Sequence, residues 1–146
     1  MAMTRQALPQ ITGSSIEAVS RGGYILSNDG DLSDILLIGT GSEVSLCVDV
    51  AAKLRTEGYK VSSPCLVWKL FEEQDAAYKN AVMPKAVTKR LVVEARTTFG
   101  WHKYAGTDGD VVGSDRFGAS APGGVLMEKF GFTVDNVYTR ANALLA

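Results

Sequence analysis

Gly39-Thr40-Gly41-Ser42-Glu43 lies between an apolar run and a helical pattern and is the first group of residues able to do chemistry. Glycines there would let the backbone approach an anion, and the free amides of a helix N-terminus can hold one. A dinucleotide fingerprint needs a third glycine, where the chain has Val44. It also needs a carboxylate about twenty residues on, where Lys60, Val61 and Ser62 stand. The alternative is a close-packed strand-to-helix turn without a ligand. His102 is the single histidine, so a mechanism needing two imidazoles, or a histidine-rich metal site, cannot be housed in this chain alone. Glu72 and Glu73 are adjacent carboxylates, but neighbours in sequence diverge in space, so an acid/base pair is not expected of them. Cys47 and Cys65 fall in no Cys-x-x-Cys or Cys/His pattern and read as buried reduced thiols. The stretch from Asp115 to Gly124 combines an ion-pair-capable Asp115-Arg116 with small residues and a helix-starting Pro122. It reads as a tight loop between a strand and a helix, with a functional role as the alternative. These groups are too few for an enzyme by itself, and no catalytic residue is assigned.

The elements that must position them follow from periodicity and turn chemistry. The first twenty residues carry Pro9, Gly13, Ser14 and Ser15 and little apolar period, so they predict a strap lying on the domain, with the core beginning near Arg21. Gly22 to Leu26 predicts a peripheral strand followed by a turn at Ser27 to Asp31. Asp34 to Gly39 is a continuous apolar run of the kind a strand buried on both faces requires. Thr40 and Glu43 have capping-box spacing and predict a helix start. Val44, Cys47, Val48, Ala51 and Leu54 form its apolar face, and Gly58 is placed to end it. Tyr59 to Leu66 predicts the next strand, completing a strand, helix, strand crossover that defines the α/β class. Beyond it come a loop at Trp68 to Gln74, a short helix over Asp75 to Val82 and a buried strand over Arg90 to Ala95. The aromatic segment Thr97 to Tyr104 begins a helix, Gly106 to Asp110 turns, and a short strand surrounds Val111 and Val112. A helix covers Val125 to Phe130. Thr133 caps the last helix, stapled by Phe132 and Val137, with Val134, Tyr138, Ala141, Leu144 and Leu145 on its apolar face.

Composition sets outer bounds. The 146 residues suit one domain, and 46% hydrophobic with 21% charged residues is the balance of a globular chain. A net charge of -1 leaves no positive surplus for a phosphate backbone, so nucleic acid is not an expected partner. No apolar run approaches the roughly eighteen residues of a membrane span, and Met1 to Gln6 leads into no signal-peptide stretch. A cytosolic or stromal location is expected.

Taken in order, several strings resemble the C-terminal domain of transketolase: Thr4-Arg5-Gln6 with Leu8-Pro9, Gly22-Gly23-Tyr24, Gly39-Thr40-Gly41-Ser42-Glu43 and Leu70-Phe71-Glu72-Glu73-Gln74. They continue with Glu94-Ala95, Phe99-Gly100-Trp101-His102-Lys103-Tyr104, Asp115-Arg116-Phe117-Gly118-Ala119-Ser120-Ala121-Pro122 and Lys129-Phe130-Gly131-Phe132-Thr133. The Asp-Arg-Phe-Gly-Ala-Ser-Ala-Pro string is the specific one. The resemblance implies an α/β fold: a three-layer αβα, Rossmann-like, mostly parallel sheet of about five strands with one antiparallel edge strand. It implies residues 1–20 as a strap from a preceding domain and 21–146 as the C-terminal domain.

Transketolases are three-domain homodimers that use thiamine diphosphate and a divalent metal, magnesium or calcium, to move a two-carbon ketol unit from a ketose phosphate to an aldose phosphate. By this resemblance the chain is the third domain only, inactive by itself, with no cofactor or metal site of its own. The activating glutamate and the Gly-Asp-Gly metal motif of the family belong to the first two domains. Asp29-Gly30-Asp31 and Asp108-Gly109-Asp110 have the inverse order and are not that motif. One active-site residue carries over: Arg5 matches the family's Ser-Arg-Gln arginine, which contacts the substrate phosphate, with Thr4 in place of the usual serine. A guanidinium suits this task through its planar fork of donors. Expected partners are the other two domains, a second subunit and a sugar phosphate, with no nucleic acid and no membrane. Trp68, Phe71, Phe99 and Trp101 are candidates for surfaces meeting the missing domains, or for core. The expected location is cytoplasmic, or plastid stroma. Alternatives are a phosphate- or nucleotide-binding regulatory module using the amides of Thr40 to Glu43, and the equivalent domain of a related thiamine-diphosphate enzyme.

Overall fold

A computed structural model describes residues 6–30 and 32–146. In chain order the described elements are α1 (Ile16–Ser20), β1 (Gly23–Ser27), β2 (Ile35–Gly39), α2 (Glu43–Thr56), β3 (Val61–Leu66), α3 (Trp68–Glu72), α4 (Ala76–Val82), β4 (Arg90–Val93), α5 (His102–Ala105), β5 (Asp110–Val112), α6 (Gly123–Lys129) and α7 (Val134–Leu145). The sheet runs β1-β3-β2-β4-β5, with β1 antiparallel to β3 and every other pair parallel.

β2 is buried along its whole length, as its unbroken apolar run requires. Ile35 and Leu37 face α2 and α7, where Cys47, Val50, Ala51, Leu54, Val137 and Ala141 close one core. Leu36 and Ile38 face the opposite side, where Phe71, Val82, Trp101, Tyr104 and Ala105 close the second. Helices on both faces of one sheet make the three-layer αβα arrangement. Each large aliphatic buried this way contributes roughly 1.5 to 3 kcal/mol. The face of α2 uses Val50 where the periodicity pointed to Val48. Val48 instead lines an open groove of about 450 Å³ under strap residues Pro9 to Thr12.

α2 ends as expected. Gly58 adopts φ +92, its N–H donates to the Arg55 carbonyl at 3.0 Å and the Tyr59 N–H to the Leu54 carbonyl at 3.3 Å, a Schellman motif. Asp75 caps α4 through the Tyr78 amide at 2.7 Å, and Thr133 caps α7 through the Asn136 amide at 3.2 Å. Arg140 clamps α7 to β5 by donating to both carboxylate oxygens of Asp110, Nε at 2.6 Å.

Further local expectations change. Trp68 to Glu72 is a short helix, α3, because Phe71 turns into the core and pulls the segment into a turn. β3 begins at Val61, two residues later than expected, since Tyr59 belongs to the Schellman motif. The strap holds a one-turn helix, α1, fixed by Ser15 accepting the Ala18 amide at 3.0 Å and burying no residue of its own. The capping box does not form: no side chain caps α2, whose Glu43 turns inward. Pro64 sits inside β3 where it has no N–H to donate, and the β1–β3 register shifts between Ile25 and Ser27, opposite it.

Gly39 is a close strand-to-helix contact. A Cβ there would lie 2.9 Å from the Val44 Cα and 3.1 Å from the Cys47 Sγ. Gly39→Ala is expected to cost about 1 to 3 kcal/mol through overpacking against backbone, read as a lower urea midpoint at unchanged slope. An unaltered midpoint would show that α2 yields freely there.

Candidate functional site

Open α/β sheets hold ligands beyond the carboxyl ends of their strands, where neighbouring connections leave in opposite directions. Here β2 leads to α2 on one face and β4 leads to α5 on the other, so the diverging pair is the Thr40–Ser42 turn and the Glu94–Arg96 segment. This crevice is closed by the protein's own side chain. Glu43 is only 4% exposed. Its Oε1 accepts from the Ser42 hydroxyl at 2.5 Å and its Oε2 from the Ala95 amide at 3.4 Å. Beside it the half-buried Glu94 has its carboxyl pushed above the usual range, first by burial and then by the charge of Glu43. Two carboxylates at the mouth oppose a phosphate or diphosphate. The glycines of Gly39-Thr40-Gly41 are explained by packing at Gly39 and a φ of +57 at Gly41.

The neighbouring loops are joined by one carboxylate. Asp115 accepts from the Thr98 hydroxyl at 2.7 Å, the Thr98 amide at 2.8 Å and the Thr97 hydroxyl at 2.8 Å. The Thr98 bonds, then that from Thr97, hold the Asp115 carboxyl below the usual carboxylate range. The Ser114 amide donates to the Arg96 carbonyl at 2.7 Å, and a Cβ on Gly113 would come within 2.7 Å of the Thr98 Cγ2. Arg116 does not pair with Asp115; its guanidinium lies 4.9 Å from the Phe130 ring centroid. The two loops so joined carry Phe99, 89% exposed, and Phe117, 96% exposed.

The remaining candidates are tied into the fold or lie exposed. Glu72 accepts from the Tyr104 hydroxyl at 2.8 Å and pairs with Lys103 at 2.8 Å and Lys79 at 3.5 Å. Lys103 foremost holds its carboxyl below the ordinary value, so it is a fixed anion rather than a base. Glu73 and His102 are exposed. Burial pushes the Cys47 and Cys65 thiols up, away from the reactive thiolate. Asp29 is engaged by Arg55 and the Val61 amide, and Asp110 by Arg140. No group of three or more His, Cys, Asp or Glu side chains that could hold a metal ion occurs among the described residues. No helix among them is long and apolar enough to cross a membrane. Arg5 lies outside the described residues.

Of the four aromatic residues singled out in the sequence, Phe71 and Trp101 are core, while Trp68, 57% exposed, and Phe99 face outward. Sequence reasoning missed Phe117 and the inward Glu43. A large aromatic set among Gly118, Ala119, Ser120 and Ala121 was the available signal for the first.

A family model described as the transketolase-like TK C-terminal domain matches residues 22–133. A transketolase of Nostoc sp. is 60% identical over 146 residues, spanning 99% of this chain and 22% of the relative. A chloroplastic transketolase of Craterostigma plantagineum is 47% identical, spanning 99% of this chain and 28% of the relative. Among solved structures, a transketolase of Pichia stipitis in complex with sedoheptulose-7-phosphate superposes with a TM-score of 0.87 at 42% identity, over 97% of this chain and 20% of its own. The chain thus spans about a fifth to a quarter of the length of these relatives.

The tether made by Asp115 has a testable pH dependence. Because its folded-state pKa is depressed, the tether is fully present above the unfolded carboxylate value, about 3.9, and is lost as pH falls through the lower folded value. Asp115→Ala is expected to speed amide exchange at Thr98 at neutral pH while leaving the β2 and β4 amides unchanged. Equal Thr98 exchange in the two proteins would overturn the tether.

Proposed function

The chain belongs to the transketolase family as its C-terminal domain, and from that premise we propose that it serves an enzyme moving a two-carbon ketol unit between sugar phosphates. The observation that carries this reading is the family match over residues 22–133 together with 60% identity to a named transketolase along nearly the whole chain. The sugar-phosphate substrate class is supported by the Pichia stipitis relative, which is in complex with sedoheptulose-7-phosphate. The division into a strap over 1–20 and a domain over 21–146 is part of the proposal, as is a cytoplasmic or plastid location, in keeping with the chloroplastic relative.

Thiamine diphosphate and its metal, magnesium or calcium, belong in this reading to other domains. The described residues do not fit them. The crevice where a diphosphate would approach holds Glu43 and Glu94, and no metal-ligand cluster is found among those residues. The contribution proposed for this domain is support of the rest of the enzyme and of a second subunit. The same two carboxylates argue against the regulatory phosphate or nucleotide alternative.

One substrate contact is assigned to the chain. Arg5 would donate to the phosphate of the sugar, a task suited to a planar guanidinium. Support comes from the Thr4-Arg5-Gln6 match to the family's Ser-Arg-Gln segment.

In the intact enzyme, Arg5→Ala is expected to lower kcat/KM for phosphorylated donors by about 1.5 to 3 kcal/mol, the worth of a hydrogen bond to a charged group. Unphosphorylated donors should be nearly unaffected. An equal fall for both donor classes would remove the role. Absence of ketol transfer from the purified wild-type parent would remove the function.

A further inference from the structure

Arg90, at the start of β4, is a half-buried cation without a carboxylate. Its Nε donates to the Val87 carbonyl at 2.7 Å, Nη2 to that of Pro84 at 2.9 Å and Nη1 to that of Tyr104 at 3.2 Å. No ion pair among the described residues involves it. Burial pulls the guanidinium below its usual range, and no neighbouring charge offsets this. Buried charges are ordinarily paired, so the structure leaves a place for an anion. The three carbonyl bonds use three of the five N–H donors of a guanidinium and leave two. They also tie the turn before β4 to the end of α5, so the walls beside Arg90 are set before any ligand arrives.

Those walls enclose an open pocket of about 180 Å³ whose polar lining is Lys85, Thr88, Arg90, Thr107 and Asp108. It lies at the amino ends of β4 and β5, the opposite end of the sheet from the Glu43 crevice. Its volume is below the roughly 300 Å³ at which pockets hold drug-sized ligands, so its occupant is small. Lys85 is exposed and is in no ion pair among the described residues. Two cations thus face one acid, Asp108, whose Oδ1 accepts from the Thr107 hydroxyl at 3.2 Å and whose Oδ2 is left to accept from a ligand. A ligand that satisfies all three is an anion that also carries a hydroxyl. We propose that Lys85, Arg90 and Asp108 form a binding site for a small hydroxyl-bearing phosphate, with phosphoryl oxygens on the two cations and the hydroxyl on Asp108. Hydrogen phosphate supplies both groups in one ion, and a phosphate ester of a short polyol supplies them in one molecule. The planar fork of Arg90 and the point charge of Lys85 both suit phosphoryl oxygens. Sulfate has a similar shape but no proton to donate at neutral pH, so Asp108 repels it. The site stands on the pocket alone, whatever the parent enzyme transfers.

Amide exchange over residues 84–90 and 105–109 of the intact parent enzyme reads this site separately from any other phosphate contact. Inorganic phosphate, glycerol phosphate and sulfate are compared at one ionic strength. Exchange in both segments is expected to slow about ten-fold at a phosphate concentration about ten times the dissociation constant, because a ligand favours the closed state by 1 + [L]/Kd. Sulfate should leave both segments unchanged. Lys85→Gln should abolish the slowing while the β2 amides exchange as before, and Asp108→Asn should let sulfate slow exchange as phosphate does. Slowing by both phosphate compounds supports the site with an ester as ligand, and slowing by inorganic phosphate alone supports it with the free ion. No slowing by either would overturn the proposal. So would equal slowing by sulfate in the unaltered enzyme, or undiminished slowing by phosphate in Lys85→Gln.

Discussion

Every layer of this domain depends on β2 being sealed from water on both faces. A strand with Ile35, Leu36, Leu37 and Ile38 in sequence has no polar side to present, so it must lie at the centre of a sheet with helices above and below. α2 and α7 answer one face, and α3, α4 and α5 the other. The same requirement sends the connections after β2 and β4 to opposite faces and opens a crevice between them. Gly39 completes the arrangement by letting Val44 and Cys47 come down onto the strand end.

What occupies that crevice decides what the domain can do. In a ligand-binding relative of this architecture the amides of the turn would face an anion. Here Glu43 uses the space, joining α2 to the end of β4 through Ala95. The carboxylate makes the junction stiff and the edge negative. The space that a ligand would take at the switch point is filled by a side chain that links two elements. In the loops after β4 and β5, Asp115 makes one platform of two segments that are neighbours because β4 and β5 pair.

The polar contacts share a pattern. Asp29, Glu72, Asp110 and Asp115 each accept several hydrogen bonds or ion pairs, and each has its carboxyl held below the usual range. Their partners, Arg55, Lys103, Arg140 and Thr98, come from other elements. These carboxylates are joints between segments distant in sequence. Each of these acids spends its oxygens on contacts within the fold.

The sequence by itself determined whatever rests on local period and turn chemistry. The run at Ile35 to Gly39, the Gly58 stop, the cap at Thr133 and the α/β class were all legible, because each is set by residues within a few positions of one another. Family membership was legible for a different reason: the Asp115 to Pro122 string is specific as a string. Tertiary structure decided the rest. Glu43 has the spacing of a cap, but the amide it reaches belongs to Ala95, 52 positions away. Phe99 and Trp101 are both aromatic and only two residues apart, yet one is exposed and the other core, because the Thr98–Asp115 bonds set the direction of the chain between them. Partners so distant in sequence leave no local period to read, and it is their packing that turns a list of acids into joints between segments.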